Sequence, residues 1–285
     1  MSETTTTGTA PEPATGAGSR DTDVAIEQAA GRLLEAATTR VPCEPVRDLI
    51  GRDDLPAAYA VQERLTKARL ATGATVVGRK IGLTSAAVQQ QMGVDQPDFG
   101  VLFSDMAYAD GETVPVKRFL QPRAEAEVAF VLAEDLVEGD LGLDQIRGAI
   151  DHAVAAIEIC DSRIAGWDIS FGDTVADNAS AGAYVLGTRR LALDAVEPKA
   201  VDMRMTVMGA EDSVGTGAAC LGDPLLAVQW LARQAREFGQ PLRAGQIILS
   251  GALGPMRPVA PGAEVVVTIS GLGEVSVRFS KETSA

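Results

Sequence analysis

The stretch Pro122-Arg-Ala-Glu-Ala-Glu-Val-Ala-Phe-Val-Leu132 sets two acids, Glu125 and Glu127, at the head of an otherwise apolar run. Side chains alternate along a strand, so the two carboxylates project from one face. Val128 to Leu132 are apolar without alternation, which predicts a strand buried on both faces. Two carboxylates side by side in such a place repel each other and lose hydration, so they need a cation or shared protons.

Moving outward, Ala153-Val-Ala-Ala-Ile-Glu-Ile-Cys160 embeds a third acid, Glu158, among apolar neighbours. Three carboxylates offering oxygen ligands suit Mg²⁺ or Mn²⁺, which keep open positions for water and substrate. The competing reading is structural. In it, Glu125 and Glu127 face solvent on an edge strand, and Glu158 pairs with Arg163 or Arg123. Lys80, in Val76-Val-Gly-Arg-Lys-Ile-Gly-Leu83, is a similar case. An ammonium in an apolar strand can bind an anionic substrate or shuttle a proton, or it can snorkel from an edge strand. Pro97-Asp-Phe-Gly100 reads as a turn containing Asp98, and Ala176-Asp-Asn-Ala-Ser180 gathers Asp177, Asn178 and Ser180 before an apolar strand. Such clusters are usually turns, although they can also orient substrate.

The remaining pattern is α+β with a mainly β, curved or barrel-like core. Residues 1–20 are rich in Thr, Ala, Pro and Gly and read as a disordered tail. Residues 21–72 read as a helical N-terminal layer, with helices from Asp21 to Thr39 and from Pro56 to Thr72. Residues 73–285 read as a β-rich catalytic domain. Its strands are expected at 75–83, 125–132, 154–160, 183–186, 203–208, 247–249, 264–269 and 274–279. Helices interrupt them at 143–153, carrying His152 as an ordinary surface or packing residue, and at 224–238. Gly271-Leu-Gly273 reads as a hairpin turn, and with no following helix it is no dinucleotide fingerprint.

Composition narrows the function. A net charge of -14 over 285 residues repels phosphate backbones, which argues against a nucleic-acid partner. No run approaches the roughly 20 apolar residues of a membrane span, and the N-terminus lacks the marks of a secretory signal. Cys43, Cys160 and Cys220 form no CxxC pair and read as reduced thiols of a cytoplasmic protein. His152 is the single histidine. A histidine-rich zinc site is therefore excluded, and any Ser-His-Asp or Cys-His mechanism would have to use that residue.

The strings GRKIGLTSAAVQQQMGVDQPDFGVL, PRAEAEVAFVL, EICDSRIAGW, DTVADNASAGAYVLG, GAACLGDPLLAVQWLA and LRAGQIILSGALGPM resemble the 2-keto-4-pentenoate hydratase family of the fumarylacetoacetase superfamily. The resemblance runs from about residue 25 to the last strand. It implies a β-rich roll with flanking helices and a Mg²⁺ or Mn²⁺ held by Glu125, Glu127 and Glu158. It also implies Lys80 in substrate binding or proton transfer, with Asp98 and Ser180 lining the same site and Asn178 and Ser180 contacting substrate.

The implied reaction belongs to aromatic compound catabolism. It ketonises 2-hydroxypenta-2,4-dienoate by protonation at C5, then adds water at C4 to give 4-hydroxy-2-oxopentanoate. Asp98 is among the candidate bases, and Lys80 could offset the substrate carboxylate. Homo-oligomers, and association with a downstream aldolase or a sister decarboxylase, are further implications. DTVADNAS and SGALGPM look more like the hydratase versions of those segments than those of 4-oxalocrotonate decarboxylase, which uses the same metal logic. A carbon–carbon bond hydrolase would commonly use a His–Glu pair, for which His152 is poorly placed. A non-catalytic assembly partner would be expected to lack a metal ligand, and all three acids are present.

Overall fold

The computed structural model describes residues 17–281. In chain order the elements are α1 (Ala17–Thr39), α2 (Arg47–Ile50), α3 (Leu55–Ala71), β1 (Val76–Gly82), α4 (Ala86–Met92), β2 (Asp98–Phe103), β3 (Ala107–Tyr108), β4 (Thr113–Val114), β5 (Arg123–Leu132), α5 (Leu143–Ala149), β6 (Ile150–Cys160), α6 (Phe171–Ala176), β7 (Ala181–Leu186), β8 (Asp202–Val207), β9 (Ser213–Thr216), α7 (Pro224–Glu237), β10 (Ile247–Ala252), β11 (Arg257–Pro258), β12 (Glu264–Ile269) and β13 (Gly273–Phe279).

The strands form two sheets. The larger runs β2-β1-β10-β5-β6-β7-β3, with β11 also pairing to β5, and the smaller runs β4-β13-β12-β8-β9. Alternation decides which faces meet. Val128 and Phe130 of β5 and Ala155 and Ile157 of β6 share one core with Val265, Val267 and Val277 of the small sheet. The intervening residues of β5 and β6 turn the other way, where Ala129, Val154 and Ala156 pack with Leu249 and Tyr184 in a separate cluster. The large sheet thus carries buried residues on both faces, and the acids stand on the face turned from the small sheet.

The helices begin where the sequence supplies caps. The Asp54 side chain accepts from Ala57 N at 3.0 Å at the start of α3, and Asp223 accepts from Leu225 N at 2.9 Å at the start of α7. Pro56 and Pro224 occupy first-turn positions where a missing N–H is harmless. Ile26, Ala29 and Leu33 of α1, Ala58 and Val61 of α3, and Phe171 and Val175 of α6 form a further apolar core.

The α+β class with a mainly β core is as expected, and Gly271–Gly273 does turn between the paired strands β12 and β13. Three details differ. Helix α1 already starts at Ala17, inside the stretch expected as tail, while residues 1–16 lie outside the described residues. The helix expected over 143–153 ends at Ala149, and His152 sits in β6 opposite Val131. Ile146, Ala149, Ile150 and Ala153 fit a helical face locally, but pairing with β5 takes over from Ile150. Asp98 opens strand β2 rather than lying in a turn, because residues 98–103 pair along β1.

Candidate active site

Antiparallel pairing of β5 with β6 sets Glu125 directly opposite Glu158, and Glu127 follows two residues on along the same face. β5 lies between β10 and β6, so it is no edge strand and the solvent-facing reading fails. Glu127 and Glu158 are fully buried, and Glu125 is half-buried. β1 is likewise interior, between β2 and β10, and its Lys80 is 3% exposed. Lys80 Nζ donates to Ala179 O at 3.0 Å and lies 3.2 Å from Glu158 Oε1. The ion-pair partner of Glu158 is therefore Lys80, and neither Arg163 nor Arg123.

Glu127 Oε2 accepts from Gly251 N at 2.7 Å. Gly251 has φ +116, and a Cβ there would come within 2.4 Å of the Thr84 side chain, so only glycine brings its N–H to the acid. Asp98 is 1% exposed and accepts from Thr174 Oγ1 at 3.2 Å through Oδ2. It stands across from Gly82, where a Cβ would meet Asp98 Oδ1 at 2.2 Å and Lys80 Nζ at 3.5 Å. Asp98 Oδ1 and Lys80 Nζ thus reach the same small volume. A cavity of about 710 Å³ opens onto this group, lined by Lys80, Asp98, Glu125, Thr174 and Ser180 among others.

The segment Asn178-Ala-Ser180 supplies Ala179 O and Ser180. Its three residues have φ of 54, 49 and 54, the left-handed region that costs roughly 1–2 kcal/mol per non-glycine residue. Arg163 holds it there. Its guanidinium bonds the carboxylate and carbonyl of Asp177, and donates to Asp161 O at 2.6 Å and Ala181 O at 3.0 Å. Asn178 does not line the active-site cavity. Its side chain is committed to the backbone of β2, accepting from Val101 N at 2.7 Å and donating to Val101 O at 3.0 Å. A second cavity, of about 310 Å³, meets this turn at Asp177 and Asn178. His152 is elsewhere, 2.6 Å from its neighbour Asp151.

Electrostatically the site carries an excess of negative charge. Burial, with Glu158 and Glu125 alongside, pushes the Glu127 carboxyl well above its usual range. Burial likewise raises Glu158 to about 7 despite the adjacent Lys80, and it raises Asp98. For Lys80, burial works against the charge, but Glu158 and the other acids outweigh it and hold the ammonium well above the usual lysine value. Glu127 Oε1, Glu158 Oε2, Asp98 Oδ1 and Ser180 Oγ have no hydrogen-bond partner among the described residues. Buried acceptors left in this way suit a cation.

The donor set fits a hard divalent cation. Ligand atoms of Glu125, Glu158 and Cys160 all lie within 4.8 Å of one another, and Glu127 adds its orphaned oxygen on the same face. Burial, then Glu125 and Glu158, raise the Cys160 thiol well above its ordinary value. Cys160 Sγ donates to Glu125 Oε2 at 3.5 Å, and a hard cation prefers the carboxylate oxygens to sulfur. Two features escaped the sequence reading: the Arg163–Asp177 clamp and Thr174. Arg163 stands 14 residues before Asp177, and no local pattern marks the two as partners.

A profile of the fumarylacetoacetate (FAA) hydrolase C-terminal family matches residues 75–280. The "TodF product hydratase" of Pseudomonas putida is 52% identical over 257 residues, covering 90% of this chain and 96% of its own length. A 2-keto-4-pentenoate hydratase of Paraburkholderia xenovorans is 49% identical over 253 residues, covering 89% of this chain and 94% of its own. Among solved structures, 4-oxalocrotonate decarboxylase from Pseudomonas putida G7, complexed with magnesium and adipate, superposes with a TM-score of 0.85. Its identity is 32%, covering 90% of this chain and 98% of its own. On these matches, with buried acids set on a two-sided sheet, the chain belongs to the fumarylacetoacetate hydrolase C-terminal family.

Proposed function

We propose that this chain is a hydro-lyase that adds water to 2-hydroxypenta-2,4-dienoate or a close analogue, giving 4-hydroxy-2-oxopentanoate, with Glu125, Glu127 and Glu158 holding a Mg²⁺ or Mn²⁺. The observation that carries it is the buried carboxylate face with orphaned oxygens, beside Lys80 and Asp98, in a chain about half identical to hydratases. When bound, the cation would supply Lewis acidity that stabilises negative charge on the 2-oxygen as the dienol ketonises.

The chain's own groups divide the remaining work. Lys80, held between Glu158 and Ala179 O, is placed to offset negative charge or to relay a proton. Asp98 Oδ1 is free, and its raised affinity for a proton suits it to take one from the water that adds at C4. Ser180 Oγ has no other partner and can bond a substrate oxygen. Leu83, Ile169 and Leu253 give the cavity an apolar wall for the diene. The strained Asn178–Ser180 turn fixes Ser180 and Ala179 O together, so Lys80 and the hydroxyl keep one geometry.

A cytoplasmic setting fits the three free thiols. Among the described residues no helix is long and apolar enough to cross a membrane. Homo-oligomers, an aldolase or decarboxylase partner, and a place in aromatic compound catabolism stand as parts of the same proposal. The decarboxylase reading has one observation in its favour, the close superposition on 4-oxalocrotonate decarboxylase, but at lower identity than the hydratases.

The test strips the protein of metal and follows dienol absorbance with and without added Mg²⁺ or Mn²⁺. Loss of absorbance only with metal, with 4-hydroxy-2-oxopentanoate as product, is the expected result. Carbon dioxide release from a dicarboxylic substrate, with no hydration of the dienoate, would overturn the hydratase assignment in favour of the decarboxylase.

A further inference from the structure

Among the described residues, two cations line the active-site cavity, and they are in opposite circumstances. Lys80 is fully engaged, by Glu158 on one side and Ala179 O on another. The Arg123 guanidinium has neither a hydrogen bond nor an ion pair among the described residues. Its guanidinium instead lies 4.3 Å from the centre of the Trp167 ring. Arg123 stands two residues before Glu125 on β5, so its side chain leaves the sheet on the face that carries the three acids.

The ring beneath it is held firmly. Trp167 Nε1 donates to Gln121 O at 3.1 Å, and Gly166 N donates to Gln121 Oε1 at 2.7 Å. The Gln121 amide in turn donates to Ser162 O at 3.0 Å and Ile164 O at 2.8 Å. A guanidinium laid on an anchored aromatic ring keeps its plane fixed while its N–H edge stays free. That edge matches the two oxygens of a carboxylate.

We propose that Arg123, set on Trp167, is the receptor for the substrate's carboxylate. The inference rests on the reading of this site as one for a 2-hydroxydienoate or 2-oxo acid. It moves the role of offsetting substrate charge from Lys80 to Arg123, because Lys80 already answers to Glu158. It also gives the cavity a direction: the acid end of the ligand lies toward Arg123 and Glu125, and the hydrocarbon end toward Leu83 and Leu253.

The experiment is a calorimetric titration of the Mg²⁺-loaded protein with 2-oxopentanoate and, separately, with adipate, alongside dienoate turnover. Arg123→Met should weaken 2-oxopentanoate binding by about 10- to 100-fold, the loss of one charge-assisted contact. Arg123→Lys should recover part of it, since charge returns without the fork. In turnover, KM should rise by more than kcat falls. A loss confined to adipate would overturn the inference, since it would assign Arg123 to a distal carboxylate that the dienoate lacks. Unchanged affinity of Arg123→Met for both acids, with dienoate turnover intact, overturns the inference and leaves the hydratase reading standing. Wild-type protein that binds 2-oxopentanoate through Arg123 but leaves the dienoate untouched upholds the receptor and sinks the hydratase reading instead.

Discussion

The two sheets are built from similar residues to different ends. In the small sheet Met203, Met205 and Val207 of β8, Val265, Val267 and Ile269 of β12, and Val275, Val277 and Phe279 of β13 point inward, while Asp202, Arg204, Glu274 and Arg278 stand in solvent. Every buried position of β8, β12 and β13 is apolar, so each residue's pattern there agrees with its environment, and Ser213 of β9 is the sheet's buried polar exception among the described residues. In the large sheet the alternation is lost, and Lys80, Asp98, Glu127 and Glu158 occupy places that Val or Ile would fill at no desolvation cost. One sheet contributes stability. The other sacrifices some of it to hold charge out of water, which is where chemistry is to be sought.

That contrast can be attacked most sharply at the acids. Glu158→Gln or Glu127→Gln should cut metal-dependent turnover by about 1000-fold, the scale of several kcal/mol of charge stabilisation. The metal-free Glu127→Gln variant should melt at or above the Tm of the metal-free parent, since an amide relieves the crowding of carboxylates, whereas Glu158→Gln leaves Lys80 buried without its ion-pair partner and should melt lower. A Tm several degrees lower with turnover preserved would make these acids structural and erase the difference between the sheets.

Next in size is the clamp behind the strained turn. Arg163→Met leaves Asp177 buried without its partner and should cost about 3 kcal/mol in urea unfolding. Turnover should fall with it, because Ser180 and Ala179 O depend on that turn. If stability falls alone, Arg163 belongs with the scaffold only. The smallest effect is expected in the small sheet: Val267→Ala should cost about 2 kcal/mol of stability and leave kcat/KM unchanged. A marked loss of turnover there would show that the two sheets are not separable in this way.

The same contrast explains what could be read from the chain. β12 and β13 are visible through period two, and β5 and β6 through unbroken apolar runs bounded by charge. The three acids were legible because a carboxylate in such a run demands an explanation. Asp98 was harder to see: Pro-Asp-Phe-Gly is good turn chemistry, and only its pairing with Gly82 makes it a strand residue. Asn178 lies in the right segment yet points to Val101, a contact between residues 77 apart in sequence. The part played by Arg163 is equally tertiary, since its bonds run to Asp161, Asp177 and Ala181 in a fold that local pattern does not reveal. β3, β4 and β11 are two residues long each, too short for any periodicity.

The bond from Gly251 N to Glu127 joins residues 124 apart, and β10 is wedged between β1 and β5. During synthesis, the strands carrying Lys80 and Glu127 leave the ribosome long before the strand that separates and completes them. The nascent chain therefore passes through a long interval with its acids formed but not enclosed. Pairings between residues so distant are slow to form and leave partly built sheets open to misassociation. Activity in this molecule is, on these grounds, among the last properties a newly made chain acquires.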